Sequence, residues 1–281
     1  MSAEKDITLD EKRVYGAKQA GTELFVACGV GLLRVSVSDA LVGEFGLVHR
    51  GDVRDVAASE GVLVVATGGD VLFGVAGGEG ATDGDGTGDV TFEPTGFGPA
   101  VAVSARGGPV ASDGERVARF DEGWTTTAEL DGVRALNGGL VAAAAGVHRT
   151  DGTALGLPDA RDVDAAGTPL AATDDGLYYL GNGWMRAVEK AAGGFRVVAS
   201  DDAGERAHAA GERLYSRDGA DDDWSAVDVP GEVVDVAHAE TTYAVTRDGT
   251  LWAFDPAEGA WRDRTLGVPD VRALAVVPRT E

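Results

Sequence analysis

The stretch from Ala160 to Val188, ARDVDAAGTPLAATDDGLYYLGNGWMRAV, holds four short apolar runs with turn residues between them, and versions of it recur along the whole chain. The first run is Arg161–Ala165, and Gly167 and Pro169 separate it from the second, Leu170–Thr173. Asp174-Asp175-Gly176 then marks a tight turn, because Asp-Gly reaches positive φ at low cost. The third run is Leu177–Leu180, and Gly181-Asn182-Gly183 leads to the fourth, Trp184–Val188. Runs of four to six residues suit strands and are too short for stable helices. The unit is therefore expected to be an antiparallel meander of four strands, a to d.

Strand a starts near residues 13, 53, 100, 133, 160, 195, 233 and 271, at intervals of 27 to 47 residues, within the range of four-stranded repeat units. A linear stack of such sheets leaves two raw edges, whereas a ring leaves none. The eighth a-type run, Val271–Val277, has no blade of its own, so it suits the closure of a ring. The expectation is an all-β chain in which residues 1–281 form a single seven-bladed β-propeller of four-stranded antiparallel blades. The C-terminal strand would complete the blade begun by the N-terminus. Six and eight blades stay open as alternatives, because the fourth unit is short and the strand at Arg13-Val14-Tyr15 could pair elsewhere.

Three recurrent features carry a family resemblance. They are the Val-Arg-Asp-Val-Ala-like opening of strand a, the Gly-Leu-Tyr-like strand c, and a Trp opening strand d at Trp124, Trp184, Trp224 and Trp261. On these the chain resembles the acidic β-propeller proteins of halophilic archaea over essentially its whole length. The Gly-His and Trp-Asp pairs of the WD40 class are absent, and no kelch-style double glycine recurs in register. The resemblance implies the fold and carries no functional residue across.

Charge narrows the function. Asp and Glu number 47 against 24 Lys and Arg, a net charge of −23. Such a surface repels itself in dilute buffer. At about 1 M salt the Debye length falls to about 3 Å and that repulsion fades. The composition therefore reads as adaptation to a salty cytoplasm. It argues against nucleic acid, whose binding needs a basic face. The N-terminal residues MSAEKDITLDEKR lack the apolar core of a signal peptide, and no apolar run approaches the about 20 residues of a membrane span. A cytoplasmic monomer is expected. Cys28 is the only cysteine, at the end of a strand b where sister repeats have Thr67 and Thr173; it reads as a core filler.

No strong catalytic motif is present: there is no Gly-x-Ser-x-Gly elbow, no phosphate loop and no His-Glu-x-x-His. His49, His148, His208 and His238 fall in different repeats and read as scattered. Two features remain. Asp83, Asp85, Thr87 and Asp89 place oxygens at alternate positions like the start of a calcium loop, but Pro94 stands where a bidentate Glu is needed. A solvated insertion is the expected role, with calcium as the alternative and no other cofactor.

Secondly, arginine recurs early in strand a, at Arg54, Arg134, Arg161, Arg196 and Arg272, with Arg13 as a sixth candidate. Guanidiniums at one height around an axis could bind a carboxylate or phosphate through paired donors. The competing expectation is ion pairing between blades, with Asp55, Asp162 and Asp235 at the next position as partners. The functional expectation is a non-catalytic binding platform for another protein or a small anion. The alternative is a metal-dependent hydrolase or lyase acting on a small anionic substrate at the channel mouth.

Overall fold

In the computed structural model the described residues are 21–75, 90–189, 194–220 and 222–278. They form seven four-stranded antiparallel sheets, and no helix occurs among them. Blade one contains β1 (Thr22–Cys28), β2 (Gly31–Ser38) and β3 (Leu41–Arg50). Blade two contains β4 (Val53–Ser59), β5 (Val62–Thr67), β6 (Val71–Val75) and β7 (Phe92–Pro94). Blade three contains β8 (Ala102–Ser104), β9 (Val110–Ser112), β10 (Arg116–Phe120) and β11 (Trp124–Glu129). Blade four contains β12 (Val133–Asn137), β13 (Leu140–Ala143), β14 (Gly146–Arg149) and β15 (Ala154–Gly156). Blade five contains β16 (Ala160–Asp164), β17 (Leu170–Thr173), β18 (Gly176–Leu180) and β19 (Trp184–Glu189). Blade six contains β20 (Val197–Ser200), β21 (Ala207–Ala210), β22 (Leu214–Arg217) and β23 (Ser225–Val227). Blade seven contains β24 (Val233–His238), β25 (Thr242–Thr246), β26 (Thr250–Asp255) and β27 (Ala260–Thr265), and β28 (Val271–Pro278) follows.

The last strand closes the ring. β28 pairs antiparallel with β1 from Thr22↔Pro278 to Cys28↔Val271 and becomes the innermost strand of blade one. Inner strands touch in the order β28, β4, β8, β12, β16, β20, β24 and back to β28. The seven-bladed expectation and the C-terminal closure both hold. The strand expected at Arg13-Val14-Tyr15 lies outside the described residues.

The core is divided among the seams. Seven hydrophobic clusters each join two adjacent blades. The middle strands carry unbroken buried runs, such as Leu140–Ala143 and Leu170–Thr173, because both faces of a blade are covered. The recurrent Trp serves the same seams. Trp124, Trp184, Trp224 and Trp261 each pack into the cluster shared with the preceding blade. Trp184 donates to the Leu155 carbonyl (2.9 Å) and Trp124 to the Thr95 hydroxyl (3.0 Å).

Local chemistry repeats too. The Thr67 hydroxyl donates to the Asp70 carbonyl (2.7 Å) and the Thr173 hydroxyl to that of Gly176 (3.0 Å), clamping the b–c turn. The Cys28 thiol does the same towards Gly31 (3.2 Å) with no exposed surface, so it fills a Thr position. Gly31, Gly146 and Gly176 open strand c, where a Cβ would collide with the carbonyls of His49, Gly156 and Val188 on strand d. Only glycine admits that close approach.

Candidate functional site

The inner strands surround a cavity of about 690 Å³ along the ring axis, lined from Asp55, Asp162 and Asp235 to the far ends of these strands. The three aspartates follow directly on residues 54, 161 and 234, and each of those is the extra residue of a β-bulge against strand b. Arg134 and Arg272 occupy the same bulged position in blades four and one. A bulge sets two residues opposite one and re-aims their side chains.

Strict alternation would send Arg54 and Asp55 to opposite faces. Instead both reach blade three: Arg54 donates to the Ala100 carbonyl (3.4 Å), and Asp55 accepts the Val103 amide (2.8 Å). Asp55, Asp162 and Asp235 are therefore not the partners of the arginines. Each uses one carboxylate oxygen for the next amide of its own strand and the other for the neighbouring blade. Asp162 takes Val163 (2.8 Å) and Val198 (2.9 Å). Asp235 takes Val236 (2.7 Å) and Leu274 (2.6 Å). Asp164 adds another such link, from Ala166 (2.6 Å) to Ser200 (2.9 Å).

These residues keep some surface on the channel wall, but their carboxylates lie inside it. Burial pushes Asp55 up to about 6 and Asp162 up to about 7, against the pull of their amide donors. Asp235 is raised well above the ordinary carboxylate value by burial, with the Asp162 and Asp55 charges adding to it. Burial also raises Asp164.

The arginines do not line this cavity; they stand beyond the aspartates, towards the starts of the inner strands. Each faces acids. Arg54 meets Asp52 (3.1 Å), Arg134 meets Asp159 (3.6 Å), Arg161 meets Asp174 (2.5 Å) and Arg196 meets Glu232 (3.6 Å). Arg272 contacts Asp52 (2.6 Å) and Asp270 (2.5 Å) and donates to the Val53 carbonyl of blade two (3.1 Å). Hydrogen bonds from Arg272 and Arg54 hold Asp52 below its ordinary value. Three of these six ion pairs, Arg134–Asp159, Arg196–Glu232 and Arg272–Asp52, reach the start of the next blade, whereas Arg54–Asp52, Arg161–Asp174 and Arg272–Asp270 stay within their own.

Two features of the opposite mouth have no local sequence signal. Arg106, after β8, pairs with Asp202, after β20. Blades three and six are far apart around the ring, so this contact crosses the mouth. The Arg106 stem passes over Gly138, where an added Cβ would lie 3.2 Å from the Arg106 Cδ. Beside the mouth, the His208 and His238 rings meet with centroids 5.0 Å apart at the seam of blades six and seven. These two histidines are not scattered, whereas His148 is buried with Nδ1 against the Gly146 carbonyl (3.1 Å) and His49 meets Phe92 edge-on (5.7 Å between centroids). The proposed calcium residues Asp83, Asp85, Thr87 and Asp89 lie outside the described residues. Among the described residues, no three His, Cys, Asp or Glu side chains are grouped to hold a metal ion.

Solved structures similar in fold include a chain of the Nidogen/Laminin Complex, with TM-score 0.57, 12% identity, and coverage of 92% of this chain and 100% of that one. Apo AztD from Citrobacter koseri matches with TM-score 0.55, 13% identity, and coverage of 92% and 98%. The computationally designed Ika8 protein matches with TM-score 0.58, 14% identity, and coverage of 89% and 86%. At such identities the likeness is one of fold alone. No curated protein matches the sequence. A family model described as "HVO_0234-like, beta propeller" matches residues 8–277, and the chain belongs to that β-propeller family.

Proposed function

We propose that this protein is a non-catalytic binding platform, working in high salt, that takes a partner protein at the ring face where the axial cavity opens beside Arg106 and Asp202. The observation that carries this reading is how the channel carboxylates are used. Asp55, Asp162, Asp164 and Asp235 each give both oxygens to backbone amides, in every case bridging two blades. Groups committed in that way serve the frame. The mouth beyond them, bordered by Asn137, Ser200, Asp202 and Arg106, is polar and concave. Cavities of about 300–1,000 Å³ with a few polar groups are the usual seat of a ligand or an inserted partner loop.

The arginine end suits a small anion less well, because an anion there must displace an acid from Arg54, Arg161 or Arg272. The net charge of −23 supports the high-salt setting, since screening removes the self-repulsion.

The test compares the two faces. Immobilised wild type, Ser200→Arg with Asn137→Arg at the cavity mouth, and Arg54→Glu with Arg134→Glu at the other end are each exposed to extract at about 3 M KCl, a range of full screening. A protein retained by wild type and by the arginine-end variant, but lost from the cavity-mouth variant, is expected. Loss confined to the arginine-end variant would overturn the reading. A bound small molecule in place of a protein, detected by native mass spectrometry, would replace the partner protein with a small ligand at the same mouth.

A further inference from the structure

Buried polar atoms without partners are few in native proteins, and each calls for an explanation such as a bound ion or water. Two of them belong to neighbouring rings at the seam of blades six and seven. His208 Nδ1 and His238 Nε2 are both shielded from solvent and neither has a hydrogen-bond partner. The rings stand 5.0 Å apart by centroids, at 45° to one another. Two imidazoles bound at about 2.0–2.1 Å to one tetrahedral ion have ring centroids separated by about 5 Å.

The surroundings suit ligation. His238 Nδ1 lies 3.3 Å from the Thr242 hydroxyl. If Nδ1 carries the proton and donates it there, Nε2 presents its lone pair; a bond to the far ring nitrogen is the usual way a ligating histidine is oriented. Burial keeps both rings neutral, lowering His208 to about 3 and His238 to about 4. His238 lies on the cavity wall, which gives an ion a route from the mouth. Trp261 covers His208 edge-on at 5.9 Å. The Ala199 carbonyl lies close enough to the His238 ring to favour its protonated form, a pull that burial outweighs, and it is a neighbouring oxygen for an ion held there.

We infer that His208 and His238 form a two-histidine site for a late first-row transition ion, Cu²⁺, Ni²⁺ or Zn²⁺, with solvent from the channel completing its coordination. Imidazole selects these ions over Ca²⁺ and Mg²⁺, which take oxygen ligands. The two neutral nitrogens supply no charge, the Asp201 carboxylate is already paired with Arg206 (3.1 Å), and the Arg206 cation stands near both rings. The site is thus one of modest affinity. Thr242 acts as a positioning residue.

The test uses Cu²⁺ as probe, at about 1 M KCl so that binding to the acidic surface is screened. Electron paramagnetic resonance of the full chain at one equivalent should show superhyperfine coupling to two nitrogens, which carboxylates do not give. His208→Gln and His238→Gln should each reduce this to one nitrogen or none. His49→Gln should leave it intact, and Thr242→Val should weaken binding about tenfold while retaining both nitrogens. Circular dichroism of each variant checks folding. A wild-type spectrum without two-nitrogen coupling overturns the inference, whatever the variants do. Coupling that survives in both His208→Gln and His238→Gln overturns it as well.

Discussion

The Asp162 carboxylate of blade five accepts the Val198 amide of blade six at 2.9 Å, while its other oxygen holds the Val163 amide of its own strand at 2.8 Å. Asp55 repeats this between blades two and three, and Asp235 between blade seven and the closing strand. The channel wall is thus tied across three seams by acids whose protons are unusually hard to remove.

These raised acids give the aspartates a defined pH signature. An acid with a raised folded pKa binds its proton more tightly in the native state, so its contribution is full below about 4, the unfolded value. It is lost as pH rises to about 6 for Asp55 and about 7 for Asp162. His208 and His238 act oppositely: lowered to about 3 and about 4, they favour the native state above about 6.5 and lose that contribution as pH falls towards 4. Asp162→Asn removes one acid from the balance. Its melting temperature should therefore fall less between pH 5 and pH 8 than that of wild type, or rise more. Parallel curves for the two proteins would contradict the assignment.

The arginines should matter little singly. Arg161 and Asp174 are 40% and 51% exposed, and exposed pairs contribute about 0–1 kcal/mol. Arg161→Ala should cost no more than about 1 kcal/mol. Arg272→Ala should cost more, because Arg272, on the closing strand, holds Asp270 and ties blade one to Asp52 and the Val53 carbonyl of blade two. Urea unfolding with and without phosphate measures both. A phosphate-dependent rise in wild type that Arg272→Ala lacks would reassign this end to anion binding.

Closure rests on one strand. Deleting residues 271–281 removes the partner of β1 and the Leu274 amide bound by Asp235. The edge left on β1 is a template for pairing with other chains, so the truncated protein should aggregate on size exclusion. A truncated monomer with an unchanged melt would contradict the closure.

Salt should stabilise the fold. With a net charge of −23, the melting temperature should climb as KCl rises from about 0.1 M to about 1 M, where the Debye length contracts from about 10 to about 3 Å. A flat profile would remove the case for high-salt adaptation.

Blade number and closure were legible in the sequence because one order of apolar runs and turn residues recurs at varied spacing, ending in an unpartnered copy at Val271–Val277. The site was legible only in part. Arg and Asp at successive positions suggested opposite faces, but the bulge at Arg54 and Arg161 breaks the alternation and frees Asp55 and Asp162 for backbone amides. Asp164, two residues after Asp162, could have been found by its period of two. Arg106 with Asp202, and His208 with His238, could not, because ring geometry alone brings them together.

The frame role of the channel aspartates is tested most directly by the unfolding free energy of Asp162→Ala and Asp235→Ala in urea. Each substitution leaves two amides without their acceptor, and a buried group so stranded costs about 1–3 kcal/mol. A loss of about 2–6 kcal/mol in each variant is expected on that basis. A change within about 0.5 kcal/mol, the ordinary range for a surface substitution, would contradict the frame role and return these carboxylates to ligand or catalytic use.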